Sequence, residues 1–157
     1  MSIDQREFRN ALGKFATGIT VVTAKDTNGG LIGVTINSFA SVSLEPPMVL
    51  FSLKNESPLC DIFATTDNFN IGILSSEQQD LSNLFAGPTD NKFDQVDWSK
   101  GKNGVPVLAG TLANLECKRA AAYLGGDHTI FVGEVTTLHQ SDQEDALLYF
   151  KGGYKTL

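Results

Sequence analysis

No ionisable side chain occurs from Thr27 to Leu44, and the run from Gly33, "GVTINSFASVSLEPPMVLFSL", alternates apolar residues with Thr35, Asn37, Ser38, Ser41 and Ser43. Alternation of period two sends successive side chains to opposite faces of a strand, so this stretch is committed to β-structure with one apolar face. Strands that merely face water usually carry Lys, Glu or Arg, which solvate well and discourage edge pairing. Small hydroxyls and an amide in their place point to a face that meets a ligand.

The rest of the chain supports an all-strand frame with short helices. Residues 4–15, "DQREFRNALGKF", place Phe8, Leu12 and Phe15 at helical spacing behind Asp4 as N-cap. "ITVVTAKDTNGGLIGVTI" reads as two strands around a turn, because Asn and Gly accept positive φ. "MVLFSL" is a third strand, preceded by Glu45-Pro46-Pro47, which is excluded from a sheet interior. Ser57-Pro58 opens a short helix over "LCDIFA". "NFNIGIL" is a fourth strand, and "SEQQDLSNLFAG" a helix with Ser76 and Gln79 at capping-box spacing and Gly87 at its end. Pro88–Gly104 shows no period and reads as a long loop holding Phe93 and Trp98. "GTLANLECKRAAAYL" and "HTIFVGEVTTLHQ" are long strands joined by "GGD", and the chain closes on "LLYFKGGYKTL". Six or seven strands, mostly neighbours in sequence, predict one domain over residues 1–157: an antiparallel β-barrel with peripheral helices.

Composition narrows the chemistry. A formal net charge of -6 speaks against nucleic acid, whose phosphates need clustered cations. Cys60 and Cys117 lie far apart and form no metal or disulfide pattern. With no basic-then-apolar leader and no apolar stretch of membrane-spanning length, the expectation is a cytoplasmic protein without a membrane partner. His128 and His139 are the only histidines, and there is no H-E-x-x-H, G-x-S-x-G, P-loop or G-x-G-x-x-G motif. The expected set of metal ligands is therefore none.

The polar residues of the opening stretch remain. Thr35 and Asn37 share a strand face suited to the edge of a heterocycle or a phosphate, and Ser38 and Ser41 add hydroxyls and backbone N–H donors. Ser52, Lys54, Asn55 and Ser57 form a second polar group, with Ser57 at a helix N-terminus that favours an anion. His128 at a hairpin end, Lys92-Phe93 in the long loop and Tyr154 near the C-terminus complete the candidates. Each residue alone has a plain structural explanation as cap, turn or packing; the cluster as a whole does not.

Taken in order, "FATGITVVTA", "GVTINSFASVSLEPPMVLFSL", "NESP", "KF", "GGDHTIFVGEV" and "LLYFKGGYKTL" resemble the flavin reductase family of FMN-binding split-barrel proteins. The resemblance runs from Phe8 to Tyr154, with Glu45 where Asp is frequent. It implies a mainly β, Greek-key split barrel, a homodimer, and a flavin near the dimer interface. It further implies flavin contacts from Thr35, Asn37, Ser38 and Ser41, and ring contacts through the backbone of Ser52 and Leu53. Lys54 and Ser57 are implied at the phosphate end, Lys92 and Phe93 closing over it, and His128 and Tyr154 where nicotinamide arrives, His128 in the catalytic role. The implied cofactors are FMN or FAD with NADH or NADPH, and the implied partner is a flavin-dependent monooxygenase.

Hydride transfer between two cofactors explains the scarcity of acids and bases, since the protein's task is to stack two rings within about 3.5 Å. The expected activity is NAD(P)H:flavin oxidoreductase. Two alternatives are an electron-transfer flavoprotein with tightly held FMN, such as a ferric reductase, and a barrel that binds a protein and no cofactor. The sparse cations favour NADH over NADPH, whose 2′-phosphate needs a cationic pocket.

Overall fold

The computed structural model describes residues 2–157. Helix α1 (Gln5–Leu12) is capped as its sequence predicts, the Asp4 carboxylate accepting the N–H groups of Arg6 and Glu7 at 3.0 Å each. Its apolar stripe is not covered by this chain, however: Phe8, Leu12 and Phe15 are 53%, 56% and 77% exposed.

The strands follow in chain order as β1 (Thr17–Gly18), β2 (Thr20–Lys25), β3 (Leu31–Ile36), β4 (Ala40–Leu44), β5 (Pro47–Lys54) and β6 (Asn68–Ile73), with α2 (Pro58–Thr65) before β6. After α3 (Gln79–Ala86) come β7 (Trp98–Lys100), β8 (Pro106–Leu108), β9 (Ala113–Gly125), β10 (His128–Gln140), β11 (Leu147–Phe150) and β12 (Gly153–Thr156). Seven of them form one antiparallel sheet in the order β3-β2-β6-β9-β10-β5-β4; β1 joins β11 and β12, and β7 pairs with β8. The first and last strands of the large sheet, β3 and β4, are consecutive in sequence. Only Asn37–Phe39 joins them, and so short a link spans at most roughly 14 Å. The sheet must therefore curl until its edges meet without pairing, which is a barrel with an open seam, the split barrel expected.

Alternation along β2 divides the core between the two faces. Val22 and Ala24 point inward to Phe51, Phe63, Phe69 and Phe131, while Val21 joins Ile19, Leu74, Phe85, Leu108 and Leu147 outside. Phe51 meets Phe63 and Phe69 edge-on at 5.3 and 5.1 Å and stacks on Phe131 at 5.2 Å, geometries that suit aromatic quadrupoles. Helix α2, begun by Ser57 and Pro58 as read, buries Cys60 and Phe63 in the inner cluster. Helix α3 buries Ser82 and Phe85 in the region of β3 and β2. No helix among the described residues is long and apolar enough to cross a membrane.

Three local expectations are corrected. The capping box at Ser76 and Gln79 does not form, because Ser75 bridges Ala146 and the Ser76 N–H donates to the Asp145 carbonyl, tying both serines to the segment before β11. Gln78 takes the N-cap position, and its side chain accepts from the Ser75 N–H and donates to the Ala109 carbonyl. Pro88–Gly104 is not one loop: a 3₁₀ turn at Lys92–Gln95 leads into β7, and strands of three residues are too short to show a period. Ala40–Leu44, read only as a break in alternation, is a strand on the seam, and Pro47 begins β5, the one strand position that needs no ladder N–H.

Candidate functional site

At the seam, Ser38 replaces a missing backbone pair: its hydroxyl accepts the Ser52 N–H at 2.9 Å and donates to the Ser52 carbonyl at 3.1 Å. This pins the β3–β4 link onto β5. Asn37 beside it is exposed, and no protein group among the described residues engages its amide. Ser41 is exposed on β4, opposite Val49.

The register of β5 against β10 assembles the next group, setting Ser52 opposite Ile130, Leu53 opposite Thr129 and Lys54 opposite His128. Leu53 is 6% exposed, its side chain in the inner core and its backbone in register with Thr129 of β10. Asn55 knits this end together: its N–H donates to the Asp127 carbonyl at 2.9 Å, Nδ2 donates to the Gly126 carbonyl, and Oδ1 accepts the Thr129 hydroxyl at 2.7 Å. Ser57 Oγ accepts the Leu59 N–H at the start of α2. His128 Nδ1 lies 2.7 Å from Asp127 Oδ1. With the carboxylate accepting, Nδ1 carries the proton and Nε2 is the acceptor of the neutral ring. That hydrogen bond, and then the imidazolium charge, hold the Asp127 carboxyl below its ordinary range. The sequence placed His128 at a hairpin end without disclosing this pairing, at which only the adjacency of the two residues hinted.

Thr35, Lys92, Phe93 and Tyr154 gather instead around α3. The Thr35 hydroxyl donates to the Ser82 carbonyl at 2.6 Å, Tyr154 Oη lies 2.8 Å from Ser82 Oγ, and its O–H donates to Asn83 Oδ1 at 2.9 Å. Ser82, fully buried, is a hub the sequence did not disclose. Lys92 Nζ reaches the Phe85 carbonyl and lies 5.8 Å from the Phe85 ring centre; partial burial lowers its pKa, opposed by Asp90. Phe93 packs edge-on against Phe85 at 5.2 Å and against Trp98 at 6.0 Å. The T-x-N-S stretch thus crosses from one group to the other, Thr35 bound to α3 and Ser38 to β5. A surface cavity of about 600 Å³ lies beside α3, lined by Glu77, Leu81, Asn83 and Val96; it meets this group only at Asn83 and does not reach the seam. Side-chain chemistry, rather than a hollow, marks the seam.

The donor set fits a flavin nucleotide. An uncharged edge of amide and hydroxyls suits a pyrimidine ring, and Lys54 with the α2 N-terminus suits a phosphate. Seam, register and donors define a split barrel built to hold a flavin.

The chain belongs to the flavin reductase family, its residues 12–157 matching the flavin reductase like domain. It is 50% identical over 150 residues to the FMN reductase (NADH) SmoA of Agrobacterium fabrum, covering 96% of this chain and 84% of that protein. It is 37% identical over 153 residues to HsaB of Rhodococcus jostii, the reductase subunit of a flavin-dependent monooxygenase, covering 98% of this chain and 78% of the relative. Two other relatives are about twice as long, the chain spanning 49% and 48% of them. Among solved structures, the Streptomyces globisporus NADH:FAD oxidoreductase SgcE6, in complex with NAD and FAD fragments, superposes with a TM-score of 0.92 at 37% identity, covering 97% of this chain and 92% of that one.

Proposed function

We propose that this protein is an NADH-dependent flavin reductase that reduces FMN or FAD and releases the product to a partner monooxygenase. The observation that carries the reading is the uncharged polar seam, with Asn37 unengaged and Ser38 pinned to β5, in a chain of this family. When bound, the flavin accepts a hydride from the nicotinamide. The protein's own residues bind and orient. Asn37, Ser38 and Ser41 present donors and acceptors to the ring edge, the backbone of Ser52 and Leu53 borders it, and Lys54 and Ser57 take the phosphate. Lys92 and Phe93 close the α3 side, where Thr35 and Tyr154 hold the helix in place. His128, its Nδ1 proton fixed by Asp127, offers Nε2 to the incoming nicotinamide.

The same reading assigns a single domain over 1–157 and a homodimer. The exposed apolar residues of α1 and β4, with Leu44 93% and Val42 49% exposed, support the dimer as surface that a second copy would cover. Two free, buried cysteines support a reducing, cytoplasmic setting.

The test is NADH consumption with and without added FMN, FAD or riboflavin. Turnover that depends on added flavin is expected. A yellow protein that oxidises NADH into another acceptor, indifferent to added flavin, would replace this reading with the electron-transfer one, and a colourless inert protein would leave only the fold.

A further inference from the structure

Away from the seam, a buried polar network holds the tip of the β7–β8 hairpin. Glu116 on β9 is 1% exposed, yet both carboxylate oxygens are engaged: Oε2 accepts the Asn103 N–H at 3.0 Å and Oε1 lies 2.9 Å from His139 Nε2. Asn103 Nδ2 donates to Asn70 Oδ1 at 2.7 Å, and Asn70 Nδ2 donates to the Val105 and Pro106 carbonyls. Thr23 adds a hydroxyl bond to the Pro106 carbonyl at 2.7 Å. A fully buried carboxylate is retained against its desolvation only when partners satisfy it, and here one of its oxygens is spent on fastening a turn. Gly101 is shaped to the same purpose, since a Cβ there would lie 3.0 Å from Glu116 Oε2.

The hairpin's open end lies at the other group. Trp98 opposes Leu108 in the β7–β8 register, Leu108 is buried in the outer cluster with Phe85, and Trp98 packs edge-on against Phe93. A two-stranded ribbon this short is marginal by itself, so its position is set by what grips it. We infer that Glu116 is a positioning residue: by clamping the hairpin tip through Asn103, it holds Trp98 against Phe93 and so fixes the Lys92–Phe93 segment for flavin binding. This rests on the reading of Phe93 as a flavin contact, and extends it to a residue on the far side of the hairpin.

Trp98 is the only tryptophan in the chain, which gives a readout independent of catalysis. In Glu116→Ala the Asn103 N–H loses its acceptor. Trp98 emission should then shift to the red with increased acrylamide quenching, and the flavin KM should rise about 5-fold with kcat within about 2-fold, the order of coupling carried between sites by packed side chains and hydrogen bonds. Glu116→Gln keeps an acceptor for the Asn103 N–H and a polar group opposite His139, and should restore both signals. Glu116→Met, which keeps the side-chain length but offers the Asn103 N–H no carboxylate, serves if Glu116→Ala does not fold. Unmoved Trp98 emission in the variant that folds overturns the inference, and so does a shifted emission with an unchanged flavin KM when Phe93→Ala raises that KM. An unchanged flavin KM in Phe93→Ala itself removes Phe93 from the flavin site, and the failure is then of the underlying reading.

Discussion

Gly33→Ala adds a single methyl where none fits. A Cβ at Gly33 would lie 2.6 Å from Phe85 Cε1, 2.7 Å from Phe85 Cδ1 and 3.4 Å from Phe93 Cζ. Carbon atoms pack best at about 3.5–4.0 Å, so the Phe85 ring has to retreat by about 1 Å. It has little room to do so, being 1% exposed and wedged edge-on against Phe93. Overpacking of this kind costs about 1–3 kcal/mol. At about 2–4 °C per kcal/mol for a chain of this size, Tm should fall by about 2–12 °C. Because Phe93 packs edge-on against that ring, its displacement should disturb Phe93 and raise the flavin KM in the same variant. Scanning calorimetry on parent, Gly33→Ala, Phe85→Leu and the double variant isolates the clash, since a leucine side chain in place of the ring leaves space for the methyl. The Gly33→Ala penalty should shrink by about 1 kcal/mol or more in the Phe85→Leu background, a coupling typical of residues in contact. A Tm unchanged within the roughly 1 °C that a fraction of a kcal/mol produces, or an equal penalty in both backgrounds, refutes the reasoning.

His128→Ala should raise the KM for NADH about 2- to 10-fold, the worth of one hydrogen bond, while leaving that for flavin nearly unchanged; a changed flavin constant alone would reassign the residue. Asn37→Ala should weaken flavin binding roughly 5- to 150-fold by titration, corresponding to about 1–3 kcal/mol, and equal affinity would return Asn37 to a turn role. Burial, and then the neighbouring Glu116 charge, push the Cys117 thiol from 9.0 up to about 12. Native protein should therefore give no reaction at Cys117 with a thiol reagent at pH 8, although denaturant exposes it. The sign of the linkage follows: the thiol's contribution is constant below pH 9.0 and is lost as pH rises toward about 12, because the unfolded chain ionises first. Urea midpoints at about pH 8 and about pH 10.5 should diverge less in Cys117→Ala than in the parent, and parallel behaviour would contradict the assignment.

The strand frame and the seam residues were legible because alternation and turn chemistry are local. "DTNGG" delivered its hairpin, with the Asp26 carboxylate accepting the N–H groups of Asn28 and Gly30, and Ser57-Pro58 delivered its helix. What the sequence left unread depends on distant partners. Ser76 looked like a cap until Asp145 claimed its N–H, and nothing near Thr35 announced its bond to the Ser82 carbonyl of α3. Glu116 carried no signal at all, for an acidic residue in a strand reads as solvent-facing until Asn103 and His139 are brought to it across 13 and 23 residues.

The long β9–β10 hairpin sits in the middle of the sheet, between β6 and β5, yet it is made well after both of them. Lys54 waits for His128, and Phe69 for Cys117, before either strand gains that neighbour. Until then β5 and β6 each show a bare edge, and the inner phenylalanines lack Phe131. Folding should accordingly be slow for the chain's length, as pairings of large sequence separation are. A nascent chain halted before Ala113 would carry two sticky edges and should depend on chaperones or aggregate. The keystone of this barrel arrives late, and the cell has to keep the arch apart until it does.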